Sequence, residues 1–394
     1  MNTFFKIQLQ NLNLLDFVIL KLCYIILFID SLTGFFLNQG ISLPISSLYK
    51  FIMIGLMMLR ILAFRRPSPF LYICYVTTLF LYYALYDNTI FGVTFSFISR
   101  YLIILVLYEY LRLIAKRTDI SLTLYKIIRF NFIILIGNIL LGLIGIGHTT
   151  YNEFGSKGFF YAGNEVAGVL MTIAPIVLYI TIKKYTIKSY KFLTLIFACL
   201  VSSILLGTKS GLLGIFVIIS YIIWNYAKIK RTYIILFTTT VIGGAAYYIY
   251  NHFAFMYNRF LYSFNDRGMG WMALLSRRDI YYEEIMPDFY NANFVNSILG
   301  LGMPYKTIEI DFFDFLYISG YLGVLILIIF WIISIRNCQG KDEISSVIRF
   351  TNYLLIGVSF IAGHIYSSAM AGPFIAIINI LPLIKNQFTK TLKI

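Results

Sequence analysis

Asn251-His252-Phe253, Asn258-Arg259, Asn265-Asp266-Arg267 and Ser276-Arg277-Arg278-Asp279 punctuate one polar stretch, which continues through Glu283-Glu284 to Lys306-Thr307-Ile308-Glu309-Ile310-Asp311. Nowhere else does the chain leave an apolar register for so long. Over the whole sequence 60% of the residues are hydrophobic, 12% are charged and mean hydropathy is +0.82. Soluble domains carry about 25% charged residues, so the balance excludes an ordinary globular enzyme. Apolar runs of about 20 residues recur along the chain, the length a helix needs to cross a bilayer. Backbone groups in lipid must find partners within their own segment, so such runs form helices. The fold class is therefore all-α: a polytopic membrane protein, one membrane domain over residues 1–394, with residues 251–311 as a large extracytoplasmic loop.

Working outward from that loop, twelve candidate spans emerge. Nine precede it, at about 14–37, 43–64, 69–86, 90–114, 126–147, 162–182, the run ending near Leu206, 212–226 and 232–250. Three follow, at about 312–335, 350–370 and 373–384. The first run is long, is interrupted by Lys21 and lacks a small-residue cleavage site, so it reads as a retained helix and not a signal peptide.

Charge orients the bundle. Arg65, Arg66, Lys116, Arg117, Lys183, Lys184, Lys228, Lys230, Arg231, Arg336, Lys341 and Lys385 all fall in alternate connections. Positive residues favour short loops on the cytoplasmic side, so those connections and both termini are expected on the cytoplasmic side of the cytoplasmic (inner) membrane of a bacterium. The formal charge of +15 is thus a topology signal; no basic face of a soluble module points to nucleic acid. The connections around Asp87-Asn88, His148–Tyr161, Gly207–Gly211 and 251–311 then face outward.

The outward basic residues oppose this bias: Lys157, Lys209, Arg259, Arg267, Arg277, Arg278 and Lys306. A long loop tolerates any charge, which is the plain reading. The functional reading is an anion site, because the planar guanidinium fork matches phosphate oxygens. Asp16, Lys21, Asp30, Arg100, Glu109 and Asp314 lie within or at the edges of apolar runs, where charge is costly and faces a cavity, a partner or a headgroup. Arg100 is the deepest cation and a candidate for a lipid phosphate. His148, His252 and His364 are isolated. Cys23, Cys74, Cys199 and Cys338 are scattered, with neither metal spacing nor a disulfide framework. No Walker loop, dinucleotide fingerprint, zinc spacing or nucleophile elbow is present, so no metal, cofactor or ATP drive is expected.

Several short motifs, in order along the chain, are similar to those of one family. They are Asp30-Ser31-Leu32-Thr33-Gly34, Phe159-Phe160-Tyr161-Ala162-Gly163-Asn164-Glu165, Gly207-Thr208-Lys209-Ser210-Gly211 and Ser276-Arg277-Arg278-Asp279. Gly300-Leu301-Gly302, Glu309-Ile310-Asp311-Phe312-Phe313-Asp314 and the glycines 320 and 323 follow. Together they resemble the Wzy-type polysaccharide polymerases and O-antigen ligases, multispanning bacterial glycosyltransferases, over nearly the whole length. Two departures stand out. The family commonly has Ser-Gly-Arg-Asp where this chain has Ser276-Arg277-Arg278-Asp279, which aligns Arg278 with the family arginine. Ligases carry a His before the glycine-bearing span, where this chain has Glu309 and Asp311, so the resemblance favours a polymerase.

The resemblance implies a metal-independent enzyme that joins undecaprenyl-diphosphate-linked repeat units into O-antigen, capsular or exopolysaccharide. Its partners would be the lipid-linked glycan donor and acceptor, the bilayer, and a chain-length regulator and flippase. Arg278 is the expected catalytic cation. Lys209, Arg259, Arg267, Arg277 and Arg100 are candidates for the diphosphate, and Asn164 for sugar hydroxyls. Glu309, then Asp311, are candidates for the base that takes the acceptor proton; a solvated rim or helix cap is the plainer role for both. A ligase, a flippase or other transporter, and a scaffold for glycan assembly are the rival readings. A transporter would show internal repeats and a midplane site, and none is visible.

Overall fold

The computed structural model describes residues 13–64, 88–151, 154–160, 162–227, 243, 278–361 and 363–392. The expected third and ninth spans, and with them Arg259, Arg267 and Arg277, lie outside the described residues. The remaining chain is mostly helical. Among the described residues, five helical runs are long and apolar enough to cross a membrane by length and composition: Ile45–Ala63, Ser121–Leu141, Gly163–Tyr185, Lys209–Tyr226 and Asp311–Asn337. This is the build of an all-helical membrane protein.

In chain order the helices are α1 (Leu14–Tyr24), α2 (Ile26–Asn38), α3 (Ile45–Ala63), α4 (Asn88–Ala115), α5 (Ser121–Leu141), α6 (Gly163–Tyr185), α7 (Tyr190–Leu206) and α8 (Lys209–Tyr226). Beyond the polar stretch come α9 (Arg278–Tyr290), α10 (Phe294–Leu299), α11 (Asp311–Asn337), α12 (Glu343–Ser359), α13 (Gly372–Ile380) and α14 (Lys385–Leu392). Helix α6 is the central stave, buried along nearly its whole length. Helix α3 sits at the rim: Leu48, Phe51, Ile52, Leu59 and Leu62 are exposed, the apolar surface a helix turns to lipid chains.

Four departures from the expected spans and connections have physical causes. The connection His148–Tyr161 contains a two-stranded antiparallel hairpin, β1 (His148–Tyr151) with β2 (Phe154–Gly158). The first span is broken at Ile25 into α1 and α2. Asn131 of α5, fully buried, compensates by donating to the Cys23 and Tyr24 carbonyls at 3.3 and 3.1 Å and accepting from Leu27 N at 3.2 Å. In an apolar setting freed backbone groups persist only when a neighbour satisfies them.

The third departure matters most for function. Gly320 has φ 64° and ψ −168°, so the Asp311–Asn337 run is two helices joined at a sharp break. The rings of Phe312 and Trp331 each lie 5.7 Å from that of Phe360. An unbroken helix would separate residues 312 and 331 by about 28 Å, far more than those two contacts bridge. Residues 311–319 therefore fold back beside 321–331, and the expected single span at 312–335 is corrected. The expected span at 350–370 is corrected too: α12 ends at Ser359, and the described residues of 360–371 form a non-helical return into α13.

Polar contacts collect at the two ends of the bundle. One end carries Arg60–Asp16, Arg112–Glu109, Lys183–Glu343 and Lys385–Asp342 at 2.6 to 2.8 Å. The opposite end gathers the starts of α6, α8, α9 and α11 and the 360–371 return.

Candidate functional site

At that opposite end, segments far apart in sequence converge. The carbonyl of Phe159 passes directly over Gly34, leaving no room for a Cβ there, and His148 Nε2 lies 3.1 Å from the Gly34 carbonyl. Asn138 of α5 joins the same cluster, bonding Ser31 through Nδ2 and accepting from Phe159 N at 2.9 Å through Oδ1. The two sequence motifs 30–34 and 159–165 thus meet in space. Deeper, Lys50 pairs with Asp30 at 2.5 Å, and Ser46 also donates to Asp30.

Arg278 opens α9 and is buried. Its Nε donates to the Glu309 carbonyl at 2.9 Å and its Nη2 to Glu309 Oε2 at 3.0 Å. The guanidinium therefore grips both backbone and side chain of one residue. The Glu309 side chain is 40% exposed, its partner's only 10%, so the pair points its carboxylate toward the open side. Glu309 adopts φ 62°, a left-handed conformation that a non-glycine residue rarely takes. Its carbonyl also accepts from Gly363 N at 2.6 Å.

Asp311, two residues on, is wholly buried. Oδ1 accepts from His364 N at 2.9 Å, Ser367 N at 3.4 Å and Ser367 Oγ at 2.6 Å; Oδ2 accepts from Ile365 N at 2.8 Å and Tyr366 N at 2.9 Å. Five donors occupy its lone pairs. Next in the return, Ser368 donates to Glu165 Oε2 at 2.7 Å and accepts from Ala371 N at 2.9 Å, which ties the start of α6 to the start of α13. Asp314 is also buried, with Oδ1 accepting from Ile308 N at 2.8 Å.

The other expected residues distribute as follows. Asn164 is half-buried beside Glu165 in the first turn of α6. Lys209 is half-buried at the first position of α8, whose opening turn packs on α6 through Gly211 and Ala167. Arg100 is half-buried in α4, one turn from Ile104, against which Gly372 packs at the start of α13. It therefore lies at the level of the 360–371 return. Lys306 sits 3.6 Å above the Tyr281 ring, a cation–π contact. Burial lowers the pKa of Lys157 in β2. Tyr290 in α9 is pushed up to about 12, first by the hydrogen bond it shares with Tyr282 at 2.6 Å and then by burial.

The structure brings Arg278, Glu309 and Asp311 together and sets Asn164 beside the same network through Glu165. Sequence reasoning passed over Glu165, Gly363, Ser367 and Ser368 as contributors. Their signal was the cost of polar groups in apolar runs, which singled out charged residues but not two serines. Among the described residues no three His, Cys, Asp or Glu side chains stand together as a metal site would require. No protein-family model, curated protein or solved structure matches the chain.

Proposed function

We propose that this protein is a membrane glycosyltransferase that polymerises undecaprenyl-diphosphate-linked oligosaccharide repeat units at the outer face of a bacterial cytoplasmic membrane. The observation that carries the reading is the Arg278–Glu309 pair: a buried cation holding a half-exposed carboxylate at one end of an apolar bundle. Such a pair supplies the two groups the reaction needs. The resemblance of the motifs at 30–34, 159–165, 207–211 and 276–279 to the polysaccharide polymerases gives the substrate class.

In the reaction, a hydroxyl of the acceptor repeat unit attacks the anomeric carbon of the donor glycan. Glu309 takes the hydroxyl proton. The bond from the anomeric carbon to the diphosphate oxygen breaks, and its electron pair leaves with the lipid diphosphate. Charge builds on that oxygen in the transition state, and a cation already in place stabilises it without reorganisation. Arg278 fills this role once Glu309 turns from it toward the acceptor, with Lys209, Arg100, Arg259, Arg267 and Arg277 as further phosphate ligands and Asn164 orienting a sugar hydroxyl. The product is the lengthened glycan on the acceptor's lipid.

Deleting the gene and sizing the lipid-linked glycan tests this reading. Single repeat units accumulating on the outer face support it. Units trapped on the cytoplasmic face would make the protein a flippase, and full-length polymer left on its lipid would make it a ligase.

A further inference from the structure

Asp311 sits two residues from Glu309, and sequence alone offers both as bases. Their surroundings are opposite. Glu309 is half-exposed and held by one arginine, whereas Asp311 is fully buried with five donors on its two oxygens. Four of the five are consecutive backbone amides, from His364 through Ser367. A carboxylate bonded in this way has no lone pair left for a substrate proton, and removing it would strand three buried N–H groups and the part-buried one of His364. A donor stranded away from water is costly.

The segment that Asp311 holds also touches everything else at the site. Gly363 N donates to the Glu309 carbonyl at 2.6 Å, the same oxygen that accepts from Arg278. Ser368 reaches Glu165 on α6. Glu309 and His364, on the two facing strands of chain, are both left-handed, with φ 62° and 68°. Such strained residues persist only where the surroundings over-determine them. The Gly363–Glu309 contact and the Asp311 carboxylate link these two strained positions.

From this geometry we infer that Asp311 is a positioning residue: its carboxylate latches the 363–368 segment, and the latched segment holds Glu309 against Arg278. The inference rests on the polymerase reading for its catalytic consequence but not for the latch itself. Asp311→Asn keeps the size of the side chain and replaces one acceptor by an NH2 group that faces amide donors. It should open the latch, lowering kcat at least tenfold with KM little changed, while the acid limb of the pH–rate profile stays because Asp311 is not the group that takes the proton.

Two measurements on the full-length protein in detergent or proteoliposomes separate the possibilities. Ile365→Cys places a thiol at a buried latch position; its maleimide labelling, above that of the parent, should rise at least tenfold when Asp311→Asn is added. In the Asp311→Gly background, added formate should slow that labelling again and restore chain elongation, as a small carboxylate entering the vacated amide nest would do. Unchanged labelling in Asp311→Asn overturns the latch. Faster labelling with undiminished elongation, or loss of the acid limb in Asp311→Asn, overturns the positioning role. If Glu309→Gln and Arg278→Ala both elongate normally, the polymerase reading fails instead, and the labelling result still decides the latch.

Discussion

Gly300, at the end of α10, and Gly320, at the break in α11, meet backbone to backbone: a Cβ on Gly300 would overlap the Ile318 carbonyl, and one on Gly320 the Ile298 carbonyl. Leu301 N bonds the Tyr317 carbonyl at 2.8 Å beside them. Gly320, at φ 64° and ψ −168°, occupies a region open essentially to glycine alone. The crossing fixes where the 311–319 half-helix turns back, and hence where Asp311 lies. Gly320→Ala should therefore lose about 3 kcal/mol or more and accumulate poorly in membranes. Gly55→Ala, on an exposed and open face of α3, should be neutral or slightly stabilising. Thermal unfolding of both variants in detergent checks the contrast.

Arg60 grips Asp16 with two bonds, Nε to Oδ1 at 2.8 Å and Nη2 to Oδ2 at 2.7 Å, and Tyr110 OH adds a third at 3.3 Å. Both side chains are largely buried. Removing one member leaves an uncompensated charge, at about 3–5 kcal/mol. Arg60→Leu and Asp16→Leu should therefore each destabilise strongly, while the double variant Asp16→Leu/Arg60→Leu should recover most of the loss. A double-mutant cycle of thermal stability gives the coupling; additive losses would show the pair to be independent.

Asp342 caps α12, accepting from Ser345 N at 3.0 Å, and receives Lys385 at 2.8 Å. Partial burial pushes its carboxyl up, but the Lys385 and Ser345 hydrogen bonds outweigh it, so its pKa falls below the ordinary 3.8. A depressed carboxylate contributes stability above its unfolded pKa and loses it as pH falls through the folded value. The contribution should thus be complete at neutral pH and disappear below about pH 4. Asparagine caps helices as well as aspartate, so Asp342→Asn should flatten the acid end of the stability–pH curve without removing the cap. Melting temperatures measured from about pH 6 to about pH 3 read this directly.

Arg278→Lys keeps a cation but loses the fork that grips Glu309 at two atoms. Lysine is not equivalent at such a site. Elongation should fall by about 10²–10³-fold, the usual cost of one transition-state donor, with membrane abundance near normal. Chain length scored on a glycan gel, against protein level on the same membranes, provides the check.

The helix pattern was largely legible because it follows from free-energy terms that act locally. Apolar length and flanking lysines are visible residue by residue, and the ends of α3, α4, α6 and α8 fall within three residues of their expected places. The breaks were not legible. Gly320 and Gly323 look alike in sequence, yet only Gly320 takes the left-handed turn, because the Gly300 backbone arrives from twenty residues away. Residues 360–371 read as span because they are apolar. Their amides are satisfied by Asp311, some fifty residues earlier, so apolar composition did not require a helix there. Glu309 and Asp311 looked alike in sequence until the five donors on Asp311 were known.

Purified protein in proteoliposomes, supplied with lipid-diphosphate-linked repeat units alone, tests the central claim most directly. The wild type should produce a ladder of lengthened lipid-linked glycan and release one lipid diphosphate per bond formed, and Arg278→Ala should give neither. No ladder from folded wild-type protein, or an equal ladder from Arg278→Ala, would contradict the account.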